Sequence, residues 1–165
     1  MRHLNKQSGF TLIETLVSLV LISIGILSFA LMQAESMRAT HTSLQRTKAI
    51  HFASDMLERV RANVSAVIDN PANYTTDNSA PANAPANACS DAGAVDAINC
   101  TPVQLAEYDV WEWKTDITQA SSGLINGAGA ITVTGANPPY NATITISWSD
   151  RKENNSYTLT SLLMP

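Results

Sequence analysis

The sequence predicts an α+β fold in which a long N-terminal α-helix packs on a small antiparallel β-sheet. Three observations lead there. No proline precedes Pro71, and Gly25 is the only glycine between residues 10 and 68. In the second half of that stretch apolar residues recur at three- and four-residue steps, the period of a helix face. Beyond residue 130 they alternate with hydroxyl residues, the period of a half-buried strand. A helix stripe and a sheet face each need a cover, and packing one on the other covers both.

Size and composition narrow the options further. A chain of 165 residues accommodates one compact domain with an appendage and not two full domains. The formal charge is −4 and the ten Lys and Arg residues are scattered, so no electrostatic footprint for nucleic acid exists and no nucleic-acid partner is expected. Two cysteines in a chain with an exported character point to one disulfide in an oxidising compartment, since a zinc site would need about four ligands.

The N-terminal element is an apolar run. Residues 15–34 hold no charge, and twenty such residues are about the length that crosses ~30 Å of hydrocarbon as a helix. The preceding nine residues carry Arg2 and Lys6 and no acid, which holds the N-terminus in the cytoplasm. A secretory signal has a small-residue cleavage site after its apolar region. Here the small-residue junction, Ser8-Gly9-Phe10, lies before it, so cleavage there removes the basic leader and keeps the anchor. Glu14 admits two readings. Thr11-Leu12-Ile13-Glu14 is a capping box with its acid in the first turn, and an acid at the edge of hydrocarbon is also a charge that calls for a partner.

Next comes the outer half of the helix, residues 35–68. A helix from Phe10 to Ile68 would extend ~89 Å. Phe52, Met56, Val60, Val64 and Val67, joined by Leu57 and Ile68, form one apolar stripe. Arg59 and Arg61 fall off it and read as a solvated face, with Asp55 placed to pair with Arg59 at i,i+4. The thinner apolar content of residues 33–48 reads as a stalk that contacts other subunits. Asn70-Pro71 ends the helix, and residues 69–104 form a loop in which Pro-Ala-Asn occurs three times. Cys89 and Cys100 bracket ten residues, a staple worth ~3 kcal/mol in the chain-entropy model.

Residues 105–165 read as β-rich. Trp111 and Trp113 flank Glu112 in an expected strand and would face one side, for core or inter-subunit packing or for ligand stacking. Residues 131–133, 142–148 and 156–164 are further strands, with a turn over 150–155. Chemistry is sparse. His41 and His51 would stand ~15 Å apart along a helix, too far to share a metal. Gly127-Ala128-Gly129 reads as a turn, without the glycines of a phosphate loop. No nucleophile elbow occurs, so neither an enzyme nor a cofactor is expected.

Gly9-Phe10-Thr11-Leu12-Ile13-Glu14 resembles the processing motif of type IV prepilins and pseudopilins, set between a short basic leader and a long apolar run. Residues 53–63, ASDMLERVRAN, resemble the helix signature of the PilV type of minor pilin, and Ile146-Ser147-Trp148-Ser149-Asp150 resembles that family's late strand. The resemblance implies a leader, residues 1–9, removed after Gly9 by a prepilin peptidase, and N-methylation of Phe10. It implies that Glu14 pairs with the terminal amine of a neighbouring subunit. Residues 10–34 would be the transmembrane and filament-core half of the helix, and residues 35–165 a periplasmic head. The function implied is that of a minor pilin that primes pilus assembly at the bacterial inner membrane, sits near the pilus tip, and supports adhesion and twitching. Its partners would be other minor pilins, the major pilin and the inner-membrane assembly platform. Two alternatives share the architecture: a pseudopilin of type II secretion, and a tip adhesin or DNA-uptake module.

Overall fold

The computed structural model describes residues 11–87, 89, 100–150 and 153–164. The chain divides into two units, Met1–His41 and Thr42–Pro165. Helix α1, Leu12–Ala62, runs without interruption from the first into the second. Its first turn is closed by the Glu14 N–H, which donates to the Thr11 carbonyl at 3.1 Å and to Thr11 Oγ1 at 3.4 Å.

In the second unit α1 buries Gln45, Ala49, Ala53, Met56, Leu57 and Val60. The spacing is that of one helix face, and the two alanines are fully buried, which lets other elements approach the helix backbone closely. The stripe therefore starts at Gln45, inside the region of thinner apolar content expected to be a stalk contacting other subunits. The helix also stops earlier than expected. Asn63 takes φ −118° and ψ 46°, off the helical region, while its side-chain amide donates to the Tyr74 hydroxyl (3.0 Å) and the Pro102 carbonyl (2.7 Å). These bonds across the fold outweigh one turn of helix geometry. A short helix, α2 (Val64–Asp69), follows and buries Ala66 and Val67; Ile68, assigned to the stripe from its spacing, is 49% exposed. The stop at Asn70-Pro71 is as expected: the Asn70 side chain accepts the Ala72 N–H at 2.9 Å and caps a 3-10 turn over Pro71–Tyr74.

The largest departure from expectation lies at residues 102–118. The segment holding Trp111 and Trp113 is a helix, α3 (Pro102–Thr118), not a strand. Thr101 and Gln104 form a reciprocal capping box with Pro102 in the first turn, a combination that starts helices. Residues two apart on a helix do not share a face: Trp113 is buried in the core, whereas Trp111 is half-exposed and lies 5.6 Å from the ring of Tyr108.

Three antiparallel strands follow, β1 (Ala128–Thr134), β2 (Tyr140–Asp150) and β3 (Glu153–Leu163), in spatial order β1-β2-β3. The three strand expectations stand, the first two with longer limits and the third starting earlier and ending one residue sooner, and pairing runs out to Asp150↔Glu153, inside the span expected to be a turn. Along β2, Tyr140, Ala142, Ile144, Ile146 and Trp148 are buried in strict alternation. They join the face of α1 in one core. On the opposite face Thr143 meets Thr160 and Thr145 meets Thr158 across the strands. The free edge of β1 is covered by Thr76, which exchanges two backbone bonds with Ile131 at 2.9 and 2.8 Å. Among the described residues, the amide of Gln45 and Nε1 of Trp148 are buried without a hydrogen-bond partner, a cost that the surrounding apolar burial has to offset.

Two fixtures hold the long excursion between α2 and β1. Cys89 and Cys100 are joined, with Cα atoms 6.0 Å apart, so the chain is tied just ahead of the α3 cap. Gly129, within β1 and not in the turn assigned from sequence, leaves space for a ring: a Cβ there would lie 2.5 Å from Trp113 Cη2 and 2.6 Å from Cζ3. A Gly129→Ala substitution is therefore expected to destabilise the head by about 1–3 kcal/mol through overpacking. Gly25→Ala, with nothing within 4 Å, should leave head stability unchanged; chemical denaturation of both variants, followed by tryptophan fluorescence, checks this.

Candidate functional site

The first candidate surface is the apolar length of α1 in the first unit. Leu12, Leu16, Leu19, Ile26, Phe29 and Leu31 are each 62–86% exposed, and an unbroken apolar surface of this kind marks a contact with lipid or protein. The helix is long and apolar enough to cross a membrane. Its hydroxyls do not oppose burial in hydrocarbon. Ser18, Ser23 and Ser28 donate to the carbonyls of Glu14, Leu19 and Ile24 at 2.7, 2.7 and 2.9 Å, and Thr15 donates to Leu12. Each of these hydroxyl hydrogens is thus satisfied within the helix, as an apolar solvent demands. Glu14 is the only charge between Leu12 and Ala34 and is exposed. Gly9 and Phe10 lie outside the described residues. In the second unit, Cys89 and Cys100 form their disulfide.

A second cluster, which reading the sequence did not assemble, sits where α1 meets α3. Arg59 donates from Nε to Asp55 at 3.1 Å, and from Nη1 to Glu112 at 2.6 Å and Asp109 at 3.4 Å. The expected i,i+4 pair with Asp55 is present, but Arg59 is half-buried and faces α3, which corrects its assignment to a solvated face. Arg61 does lie in solvent, bonded to Glu58 and to Ser161 of β3. Asp109 also accepts the Tyr74 hydroxyl at 2.8 Å, and Tyr74 in turn accepts from Asn63. One chain of bonds thus links the helix break, the 3-10 turn and both helices.

The electrostatics follow from that geometry. Burial works against the Arg59 charge, but the bond to Glu112 and the fields of Asp55, Glu112 and Asp109 outweigh it and hold the guanidinium protonated. Burial raises the Asp109 carboxyl above its ordinary range against the pull of Tyr74 and Arg59. Burial, with the Asp109 charge, raises the Tyr74 phenol, so it stays a neutral donor. Further along α3, Lys114 is buried and donates to the Ser79 carbonyl and Oγ at 3.1 and 3.3 Å, with Asp77 at 3.7 Å. Burial lowers its ammonium pKa, with Asp77 opposing. These groups fasten the Pro-Ala-Asn loop and α3 to the core, and nothing among them makes a nucleophile and base pair.

Removing Arg59 leaves three carboxylates without their cation. Asp109, already held above its ordinary range by burial, loses the opposing pull of Arg59 and rises further, and a carboxyl raised above its unfolded value of about 3.9 loses stability as pH rises from there through the folded value. Arg59→Ala is expected to cost about 2 kcal/mol of head stability at pH 7, and distinctly less at pH 4.5. Urea midpoints of both proteins at the two pH values measure the difference; an equal deficit at both would contradict the charge argument.

Two family models match the chain. The prokaryotic N-terminal methylation motif matches residues 4–30, the segment of the exposed apolar helix and Glu14. The Tt1218-like family, type IV pilin Tt1218, matches residues 31–111, from the middle of α1 to Trp111. No curated protein and no solved structure matches the chain. The matched segments adjoin, and together with a long N-terminal helix packed on a three-stranded antiparallel sheet they identify the chain as a type IV pilin.

Proposed function

We propose that the chain is a minor pilin of the PilV type, which helps prime type IV pilus assembly and sits at or near the pilus tip. The observation that carries the reading is the exposed, internally satisfied apolar length of α1 with one acid in its first turn. A membrane holds such a helix before assembly, with the head in the periplasm, and a bundle of like helices holds it afterwards. Both solvents are apolar, so transfer between them costs little. Cleavage after Gly9 by a prepilin peptidase exposes the Phe10 amine, which is then N-methylated. Glu14 pairs with the terminal amine of a neighbouring pilin and sets axial register, because an unpaired acid within hydrocarbon costs about 2.5–3.5 kcal/mol. The neighbours are other minor pilins and the major pilin, received by the inner-membrane assembly platform. Adhesion and twitching depend on this subunit through pilus number.

The PilV-type helix signature, residues 53–63, now has a physical content. Its Arg59 and Met56 are the residues that bind α3 and fill the core, so the signature describes how the head is fixed to its helix. A pseudopilin of a secretion machine would carry the same N-terminal half. Deleting the gene is expected to reduce surface pili with type II secretion intact, and complementation to restore them. Failed secretion with normal pili would transfer the subunit to the secretion machine. The intact mass of the membrane protein should lack residues 1–9 and carry one added methyl. Glu14→Ala should be processed normally yet be depleted from sheared filaments by roughly tenfold or more, the equivalent of about 1.4 kcal/mol; normal incorporation would reduce Glu14 to a helix cap.

A further inference from the structure

Between α3 and the Pro-Ala-Asn loop of the head lies an open groove of about 390 Å³, within the roughly 300–1,000 Å³ range of small-molecule sites. Glu107, Val110 and Trp111 line the helix side, and Asn83 and Pro85 the loop side. Lys114 closes one end, its ammonium tied to Ser79 and close to Asp77, so the loop wall is pinned to the helix wall. Of the three tryptophans, Trp113 and Trp148 are 1% and 5% exposed, and Trp111 alone meets the groove. Among the described residues, the side chains of Asn83 and Glu107 and Nε1 of Trp111 make no hydrogen bond.

The lining selects among ligand classes. Its one cation is already bonded and its one further charge is a carboxylate, so a nucleic acid or another polyanion finds no counter-charge. An acyl chain would leave the amide, carboxylate and indole N–H dry and unpaired. An extended peptide is commonly read by a sheet edge, and both walls here are a helix and a loop. The lining offers a flat aromatic surface flanked by Val110 and Pro85, with single, separated donors and acceptors around it. Asn83 gives and accepts, Glu107 accepts, and the indole N–H gives. A molecule with an apolar ring face and hydroxyls projecting around its rim satisfies all of them together. We propose that this groove binds a saccharide of one or two pyranose rings, laid on Trp111 with its hydroxyls bonded to Asn83 and Glu107. The site belongs to the folded head and holds whether the subunit serves a pilus or a secretion machine.

The test uses the mature full-length chain in a zwitterionic detergent, since detergents with sugar headgroups would occupy the groove. Lactose, maltose, N,N′-diacetylchitobiose and methyl α-mannoside are titrated, with sorbitol and sodium phosphate as controls, following tryptophan emission and saturation-transfer NMR. At least one of the four sugars is expected to give a saturable change that the controls do not. Trp111→Ala and Asn83→Ala should each weaken it about tenfold or more, or roughly 1.4 kcal/mol. Asn83 is exposed on the loop, so its variant tests the site even if loss of the indole disturbs folding. Saturation by none of the sugars, equal responses to sorbitol or phosphate, or undiminished binding in Asn83→Ala would each overturn the proposal.

Discussion

Trp113 is held from three directions. Its indole N–H donates 2.9 Å to the Phe52 carbonyl of α1, its six-membered ring lies over Gly129 of β1, and α3 carries it. A tryptophan is the largest side chain a core can take, and it enters well only where its N–H finds an acceptor. Here the acceptor is a helix carbonyl that side chains seldom reach, because Ala49 and Ala53 on that face of α1 leave the backbone approachable. The small residues on one helix, the glycine in a strand and the ring on a second helix are therefore one device. It sets where α3 lies against α1 and β1, and the Pro-Ala-Asn loop and the disulfide only have to span the resulting gap.

The charged seam beside it depends on the same placement. Once Trp113 fixes α3, Asp109 and Glu112, four and one residues earlier, come against Arg59. A cation between three carboxylates contributes specificity more than net stability, since burial of each charge offsets much of the attraction. The raised Asp109 carboxyl is the sign of that cost. What the seam supplies is a unique register between α1 and α3, because a one-turn slip would strand Arg59, part Tyr74 from Asp109 and part Asn63 from the Pro102 carbonyl.

The sheet was legible in the sequence because β2 lies at its centre with one buried face, so its alternation is complete. α3 was not, although its signals were present. The run Trp111-Glu112-Trp113 alternates over three residues, and that local pattern outweighed a longer one: Ala106, Asp109, Trp113 and Ile117 recur at helical steps behind Thr101-Pro102-Val103-Gln104, a capping box with a first-turn proline. Spacing over a dozen residues should prevail over alternation across three. The break at Asn63 was invisible in principle, since no glycine or proline marks it and its cause is two partners far along the chain. Gln45 escaped for a similar reason, being polar where the core begins. Gly9, Phe10 and Glu14 were recognisable as a motif, whereas physics alone left Glu14 divided between cap and pairing.

The structure bears on that division without removing it. The bond that caps α1 uses the Glu14 amide N–H, with Thr11 Oγ1 and carbonyl as acceptors. It does not consume the carboxylate, so capping and pairing are compatible uses of one residue. They also support each other. A helix that starts in a defined turn presents its acid at a defined height, which is what the proposed pairing with a neighbour's amine would need. The serine hydroxyls fold back on the carbonyls of Glu14, Leu19 and Ile24, which leaves Glu14 as the one charge along the apolar length. With a single charge on this apolar surface, the proposed pairing assigns to helix packing the energy of association and to Glu14 the level at which neighbours would meet.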